Sequence, residues 1–264
     1  MKDLRKYFVA EGMVPRSVFE VFGIFNKGVE TGRITHEQAK GILNEGYAAE
    51  ESPKFYDASA ATYKGISLFD YGKSICANSA FWATKKVYEL GDIRNRRNIL
   101  DVGCGTGLEA VFFAGKINGS TITALDRSKP LIKLAKVRKK KNKAKKVKFV
   151  VADFNEEHRM LPEGNFDLVY SIAGFGKDGR VAGHAYTQEL IGDFSRIQRY
   201  LSPGGKIILI GPPMEDKEET LRTTAIMCQA LDLAGVNEVH GEIEDVEEPD
   251  LGMRNNLLVT GIKR

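Results

Sequence analysis

Five short apolar runs punctuate the middle of the chain: NILDV (98–102), STITALD (120–126), VKFVVAD (147–153), FDLVYSI (166–172) and KIILIG (206–211). Most are continuous rather than alternating, the pattern of strands covered on both faces of a parallel sheet. Helical spacing fills the gaps over 107–116, 129–143 and 185–200, and Ser128 followed by Pro130 marks the start of the second of these. SPGG (202–205) is a turn before the fifth strand. Beyond it the pattern predicts a helix over 218–234, a strand over 236–243, an acidic loop EDVEEPD (244–250) and a last strand NLLVTGI (256–262). A βαβ series closed by two strands predicts an α/β fold: a doubly wound, mostly parallel seven-stranded sheet with an antiparallel edge strand.

Ahead of this region the texture is helical. PRSVFEVFGIFNKGV sets Val18, Phe22, Phe25 and Val29 at helical spacing, with Pro15 near the start. Thr35 opens a capping box with Gln38 and predicts a helix reaching Gly46. Residues 51–73 have no clean period and read as a loop with some helix. A longer helix follows from Ser74 to Leu90, with Cys76, Ala80, Ala83, Val87 and Leu90 on one face. The chain therefore divides into a helical extension, 1–93, and an α/β core, 94–264.

Composition narrows the class. At 264 residues, 42% hydrophobic and 28% charged, the chain reads as a water-soluble globular protein. No apolar stretch approaches the roughly 18–20 residues of a membrane span, and the N-terminus has no apolar signal region. Cys76, Cys104 and Cys228 form neither a disulfide framework nor zinc-ligand spacing, which suits a reducing cytoplasmic setting and predicts no metal site. Residues 94–148 carry 16 basic and 3 acidic residues, whereas 212–264 carry 5 basic and 12 acidic. The run KVRKKKNKAKKVK (136–148) could attract nucleic acid or an acidic surface, although a solvated helix face accounts for it more simply.

The chemistry centres on DVGCGTG. Gly103, Gly105 and Gly107 end the first core strand, where an open α/β sheet binds its ligand and where glycine lets the backbone come close. The sixth position of a dinucleotide G-x-G-x-x-G is here Leu108, and no GK[ST] follows for a phosphate loop. Asp101 and Glu109 flank the turn with negative charge. That suits a ligand carrying positive charge better than a diphosphate. Asp126 ends the second strand about 20 residues on, where a carboxylate can accept ribose hydroxyls. Asp153 ends the third, with Phe154 beside it to cover an adenine.

Together ILDVGCGTG (99–107), ALDRS (124–128), VVADF (150–154), LPEGNFDLVYS (161–171) and YLSPGGKIILI (200–210) resemble the class I S-adenosylmethionine-dependent methyltransferases. The resemblance covers 94–264. It implies S-adenosylmethionine as cofactor and S-adenosylhomocysteine as product. It places the methionine portion on Asp101, Gly103, Cys104, Gly105 and Gly107, the ribose on Asp126 with Arg127 beside it, and the adenine on Asp153 and Phe154. Ser171 and Ile172 would line the transfer site, and Cys104 would need only to be small.

Methyl transfer from a sulfonium asks mainly for positioning, plus a base if the acceptor must lose a proton. Of the four histidines, His184 follows the fourth core strand and is the candidate base; His36, His158 and His240 read as structural or surface residues. The fourth strand ends in SIAGFG, not the [DN]-P-P-[YF] of amino-group nucleic-acid methyltransferases. The helical extension is then the candidate lid. YDASAATY (56–63) resembles a Tyr-containing stretch ahead of the core in many small-molecule methyltransferases, which makes Tyr56 and Tyr63, with Tyr71, the lid residues. A small-molecule acceptor is expected; the alternative is RNA or protein docked through 136–148. The acceptor atom stays open.

Overall fold

The computed structural model describes residues 2–36, 57, 59–154, 161–174 and 184–264. In chain order it contains α1 (Lys2–Ala10), α2 (Val18–Glu30), β1 (Thr62–Tyr63), β2 (Ile66–Ser67), α3 (Leu68–Ile75) and α4 (Ala77–Leu90). The core follows with β3 (Asn98–Val102), α5 (Leu108–Ala114), β4 (Thr121–Asp126), α6 (Lys129–Lys141), β5 (Val147–Val151), β6 (Phe166–Ile172) and α7 (His184–Tyr200). It closes with β7 (Leu201–Ile210), α8 (Lys217–Leu233), β8 (Asn237–Glu248) and β9 (Gly252–Ile262).

The seven-stranded sheet has the order β5-β4-β3-β6-β7-β9-β8. β5, β4, β3, β6 and β7 run parallel; β9 pairs antiparallel with β7 and β8 antiparallel with β9. The chain moves outward from β3 in one direction and then returns to start β6 on its other side. This is the strand-order reversal at whose carboxyl edge a ligand crevice opens.

Strand alternation divides the apolar residues between two cores. Ile99, Ile208 and Leu258 join Val87, Phe113, Ile132 and Tyr170 on the face covered by α4, α5 and α6. Leu100, Ile207 and Leu257 join Phe194, Ile197, Met227 and Leu231 under α7 and α8. A smaller cluster of Val21, Phe25, Leu68 and Tyr71 joins α2 to α3.

Local signals explain the helix starts. Ser128 caps α6 by accepting the Leu131 N–H, with Pro130 in the first turn. Ser17 and Glu20 form a reciprocal capping box on α2. The buried stripe of α2 is Val21, Phe25 and Gly28, one step round from the expected 18/22/25/29 face. Thr35 begins a segment that mostly lies outside the described residues.

Three expectations are corrected. Residues 62–67, read as loop, form a β1–β2 hairpin across Lys64 (φ 50°) and Gly65 (φ 80°), the left-handed pair that a two-residue hairpin turn requires. The helix expected from Ser74 is two helices divided at Cys76, because α4's first N–H groups turn to the Glu248 carboxylate: Asn78 N–H at 3.2 Å and Ser79 N–H at 2.6 Å. The acidic loop 244–250 is mostly strand: β8 pairs with β9 as far as Glu248↔Gly252. An edge strand exposes alternate carboxylates to water, so acidic composition does not exclude it. Among the described residues no helix is long and apolar enough to cross a membrane.

Candidate active site

The glycine turn is held shape-first. Gly103, Gly105 and Gly107 take φ of 76°, 51° and 69°, a left-handed series that side chains resist. The N–H groups of Gly103 and Cys104 both donate to the Leu125 carbonyl at 2.9 Å. The Gly105 N–H donates to Asp126 Oδ2 at 2.8 Å, and Asp126 Oδ1 accepts the Ser128 N–H at 2.8 Å. Asp126 therefore clamps the turn to the end of β4. At Gly107 a Cβ would lie 2.5 Å from the Phe149 ring, so close packing as well as dihedral angle requires glycine.

Asp101 lies beneath the turn, buried, and accepts the Tyr170 hydroxyl at 2.8 Å. Burial drives its carboxyl well above the ordinary range and the charge of Glu109 adds to this, against the Tyr170 hydrogen bond and Lys73. Such a group gains most from an approaching cation. Cys104 is buried, and burial with the charges of Asp101, Asp126 and Glu109 pushes its thiol far up, which favours the neutral thiol.

The other expected cofactor residues assemble along the same edge. Asp153 and Phe154 follow β5, both half-buried, and Phe154 packs edge-on to Tyr200 at 6.0 Å. Ser171 is buried and donates to the Val102 carbonyl at 2.8 Å, tying β6 to β3 just under the turn. Ile172 packs against the α4 core, and Arg127 sits half-buried beside Asp126. The carboxyl ends of β3, β4, β5 and β6 thus gather the set from Asp101 to Ile172.

The expected lid residues behave differently. Tyr56 lies outside the described residues, and the backbone of Tyr63 is in β1. Tyr71 is buried in the α2–α3 cluster, with the Arg16 guanidinium 5.0 Å from its ring, and so fastens helices rather than facing the turn. His184 begins α7. The aromatic that meets the turn is Phe69: a Cβ on Gly105 would lie 3.0 Å from its ring.

Sequence reasoning did not find how the extension is fixed to the turn. Arg138, buried at 9% exposure, donates from Nη1 to the Thr106 carbonyl and hydroxyl oxygens, both at 2.6 Å. Its Nη2 reaches Asp70 at 3.0 Å and its Nε reaches Glu11 at 2.9 Å. The Thr106 hydroxyl in turn donates to Asp70 at 2.7 Å. Lys73 pairs with Glu109 at 2.9 Å, and Tyr7 donates to the Leu108 carbonyl at 2.9 Å. Helices α1 and α3 are bolted to the glycine turn through one guanidinium. A signal for Arg138 was present: it lies three residues after Ala135 and seven after Leu131, on the buried stripe of α6.

A glycine turn thus sits at the strand-order reversal of a doubly wound α/β sheet, with Asp101, Asp126 and Asp153 at or just past successive strand ends and α3 fastened beside it. A methyltransferase-domain model matches residues 93–248, and the chain belongs to that family: its core is a class I S-adenosylmethionine-dependent methyltransferase domain. Among curated proteins it is 32% identical over 111 residues to malonyl-[acyl-carrier protein] O-methyltransferase 2 of Ilyobacter polytropus, covering 42% of this chain and 38% of that protein. It is 25% identical over 158 residues to phosphoethanolamine N-methyltransferase 1 of Arabidopsis thaliana (59% and 30%). It is 32% identical over 138 residues to a sterol 24-C-methyltransferase of Gibberella zeae (52% and 33%). The matched region spans about a third of each relative's length. Among solved structures, the YcgJ protein of Bacillus subtilis superposes with a TM-score of 0.53 at 11% identity, over 69% of this chain and 98% of that one. Phosphoethanolamine N-methyltransferase 2 of Haemonchus contortus, crystallised with S-adenosylmethionine, gives 0.50 at 17% identity, over 69% and 52%.

The cofactor of this family is S-adenosylmethionine. The residues present fit it: a buried acid at Asp101, a turn whose three glycines let the backbone come close, and the Asp126 carboxylate at the end of β4.

Proposed function

We propose that the protein transfers a methyl group from S-adenosylmethionine to a small-molecule acceptor held under the N-terminal helices. The observation that carries this reading is the Thr106–Asp70–Arg138 junction, which sets α3 and Phe69 as a roof on the cofactor turn. The named acceptors of the relatives, malonyl-[acyl-carrier protein], phosphoethanolamine and a sterol, lend support to a small acceptor group.

When bound, the cofactor supplies an electrophilic methyl for an in-line displacement. The protein's share is positioning and electrostatics. Asp101 and the turn from Gly103 to Gly107 would receive the methionine portion, Asp126 and Arg127 the ribose side, and Asp153 with Phe154 the adenine. Ser171 and Ile172 would border the methyl's exit, and His184 is the proposed base where the acceptor carries a proton. Residues 1–93 form the acceptor-covering part and 94–264 the cofactor-binding part, in a cytoplasmic enzyme. RNA or protein docked on 136–148 is the weaker reading: within that run Arg138 is buried, and Lys141 pairs with Glu11 at 2.9 Å.

Incubation with methyl-labelled S-adenosylmethionine and an extract of the source cells tests the reading. Label in the small-molecule fraction is expected. Label in RNA or protein alone would replace the small acceptor by a macromolecule.

A further inference from the structure

Cross-strand pairing aligns Ile172, Ile210, Leu258 and Glu242, so the parallel strands stop there. The β8–β9 hairpin does not. It continues six residues further, to Glu248↔Gly252, and so overhangs the carboxyl edge by about 20 Å. Alternation puts Glu244, Val246 and Glu248 on the face toward α4, together with their cross-strand partners Asn256 and Arg254. The contacts agree: Glu244 pairs with Lys86 at 2.7 Å, Val246 packs in the α4 core, and Glu248 accepts the first N–H groups of α4.

Arg254 is the anomaly on this face. Its side chain is 12% exposed, and its Nη1 is buried and makes no hydrogen bond. A carboxylate oxygen of Glu215 stands 3.3 Å away without hydrogen-bond geometry, on a side chain that is 87% exposed. On α4, Ser79 is buried and its Oγ also has no hydrogen-bond partner, while its N–H donates at 2.6 Å to Glu248 on this same face of the hairpin. Cys76, at the start of α4, feels both Glu248 and Arg254: burial pushes its thiol up to about 12, Glu248 adds to this and Arg254 opposes it. The ion partner of Nη1 is thus an exposed carboxylate without hydrogen-bond geometry, and Ser79 Oγ has no hydrogen-bond partner; buried polar atoms so poorly satisfied are costly and call for one.

We infer that Arg254 and Ser79 form the acceptor-side subsite, taking an anionic oxygen group, carboxylate or phosphate, of the molecule to be methylated. The position suits that role. Glu215 lies in the segment leaving β7, one strand from Ser171 and Ile172, and the Asn255 side chain holds that segment through the Met214 and Glu215 carbonyls. From Phe69, on the cofactor turn, to Cys76 is seven residues of helix, about 10 Å, the span of a small molecule. The two acids nearby do not block an anion. Glu248 is engaged by two backbone N–H groups, and Glu215 is free to swing into water. A guanidinium also offers the paired donors that carboxylate and phosphate match.

The inference rests on the small-molecule reading above, and its test separates the two. Protein with and without S-adenosylhomocysteine is titrated calorimetrically with malonate and with inorganic phosphate. The wild type binds at least one of them; Arg254→Met weakens that binding by roughly tenfold or more, and Arg254→Lys by less. Glu215→Gln, a surface change that leaves folding intact, tightens it severalfold. S-adenosylhomocysteine affinity stays unchanged in all three variants. Anion binding that survives Arg254→Met, that does not tighten in Glu215→Gln, or that is missing from the wild type overturns the subsite while leaving the methyltransferase reading in place. Failure of the wild type to bind S-adenosylhomocysteine would instead strike at that reading, and the cofactor-free titrations would still judge Arg254.

Discussion

Arg138 stands in a run of lysines yet is the one residue of that run joined to Glu11, Asp70 and Thr106 at once. Burial alone would raise the Asp70 carboxyl; the charge of Arg138 and the hydroxyls of Thr106 and Ser67 overcome it and hold the carboxyl below its ordinary value. Arg138→Met strands Asp70, 2% exposed, and Glu11, 8% exposed. Removing one partner of a buried pair costs about 3–5 kcal/mol. For a chain of this size that is a fall in Tm of about 6–20 °C. The pH dependence sharpens the test. In the wild type the Asp70 contribution is present above the ordinary carboxylate range and lost as pH falls through it, because the folded pKa is depressed. In the variant the uncompensated carboxyl takes up a proton instead, so its deficit is larger at pH 7.5 than near pH 4. Thermal unfolding at both pH values, with hydrogen exchange to follow α1 and α3, reads the effect. A loss under about 1 kcal/mol, or an equal loss at both pH values, would refute the assignment of Arg138 as the bolt; Lys140→Ala, on the exposed side, should stay within about 0.5 kcal/mol.

Gly107→Ala meets the Phe149 ring at 2.5 Å in a left-handed conformation, so it should destabilise by about 2–4 kcal/mol in a urea melt, whereas Gly164→Ala, left-handed but in open space, should cost only about 1 kcal/mol. Because the folded pKa of Asp101 is raised, its stabilising proton is lost as pH rises from the ordinary carboxylate range, and the ligand-free protein should soften accordingly. Cationic cofactor favours the ionised form, so its affinity should rise over the same range by up to about tenfold per pH unit, with proton release visible in calorimetry across buffers. An affinity that is flat with pH would show that Asp101 is already ionised when free.

The parts legible in the sequence were those where one local rule decides. Continuous apolar runs marked β3 to β7, and three glycines before Leu108 marked the turn that Phe149 crowds. The missed parts depend on distant partners. Nothing local divides α3 from α4 at Cys76; Glu248, 172 residues on, does so by claiming α4's N–H groups. The acidic stretch after Ile243 resembles loop in composition, and only pairing with Met253 to Leu257 makes it strand. Arg138 was hidden by the lysines around it, although its place on the Leu131–Ala135 stripe distinguished it. Residue type alone does not separate Tyr71, which packs with Val21 and Phe25, from Phe69 two residues earlier, which meets the turn.

The most direct measurement is calorimetric titration of S-adenosylmethionine into the wild type and Asp126→Ala. One site per chain is expected, with a loss of about 1–3 kcal/mol in the variant, because Asp126 clamps the Gly105 N–H and is proposed to hold the ribose. Equal affinities, or no binding to the wild type at all, would contradict it.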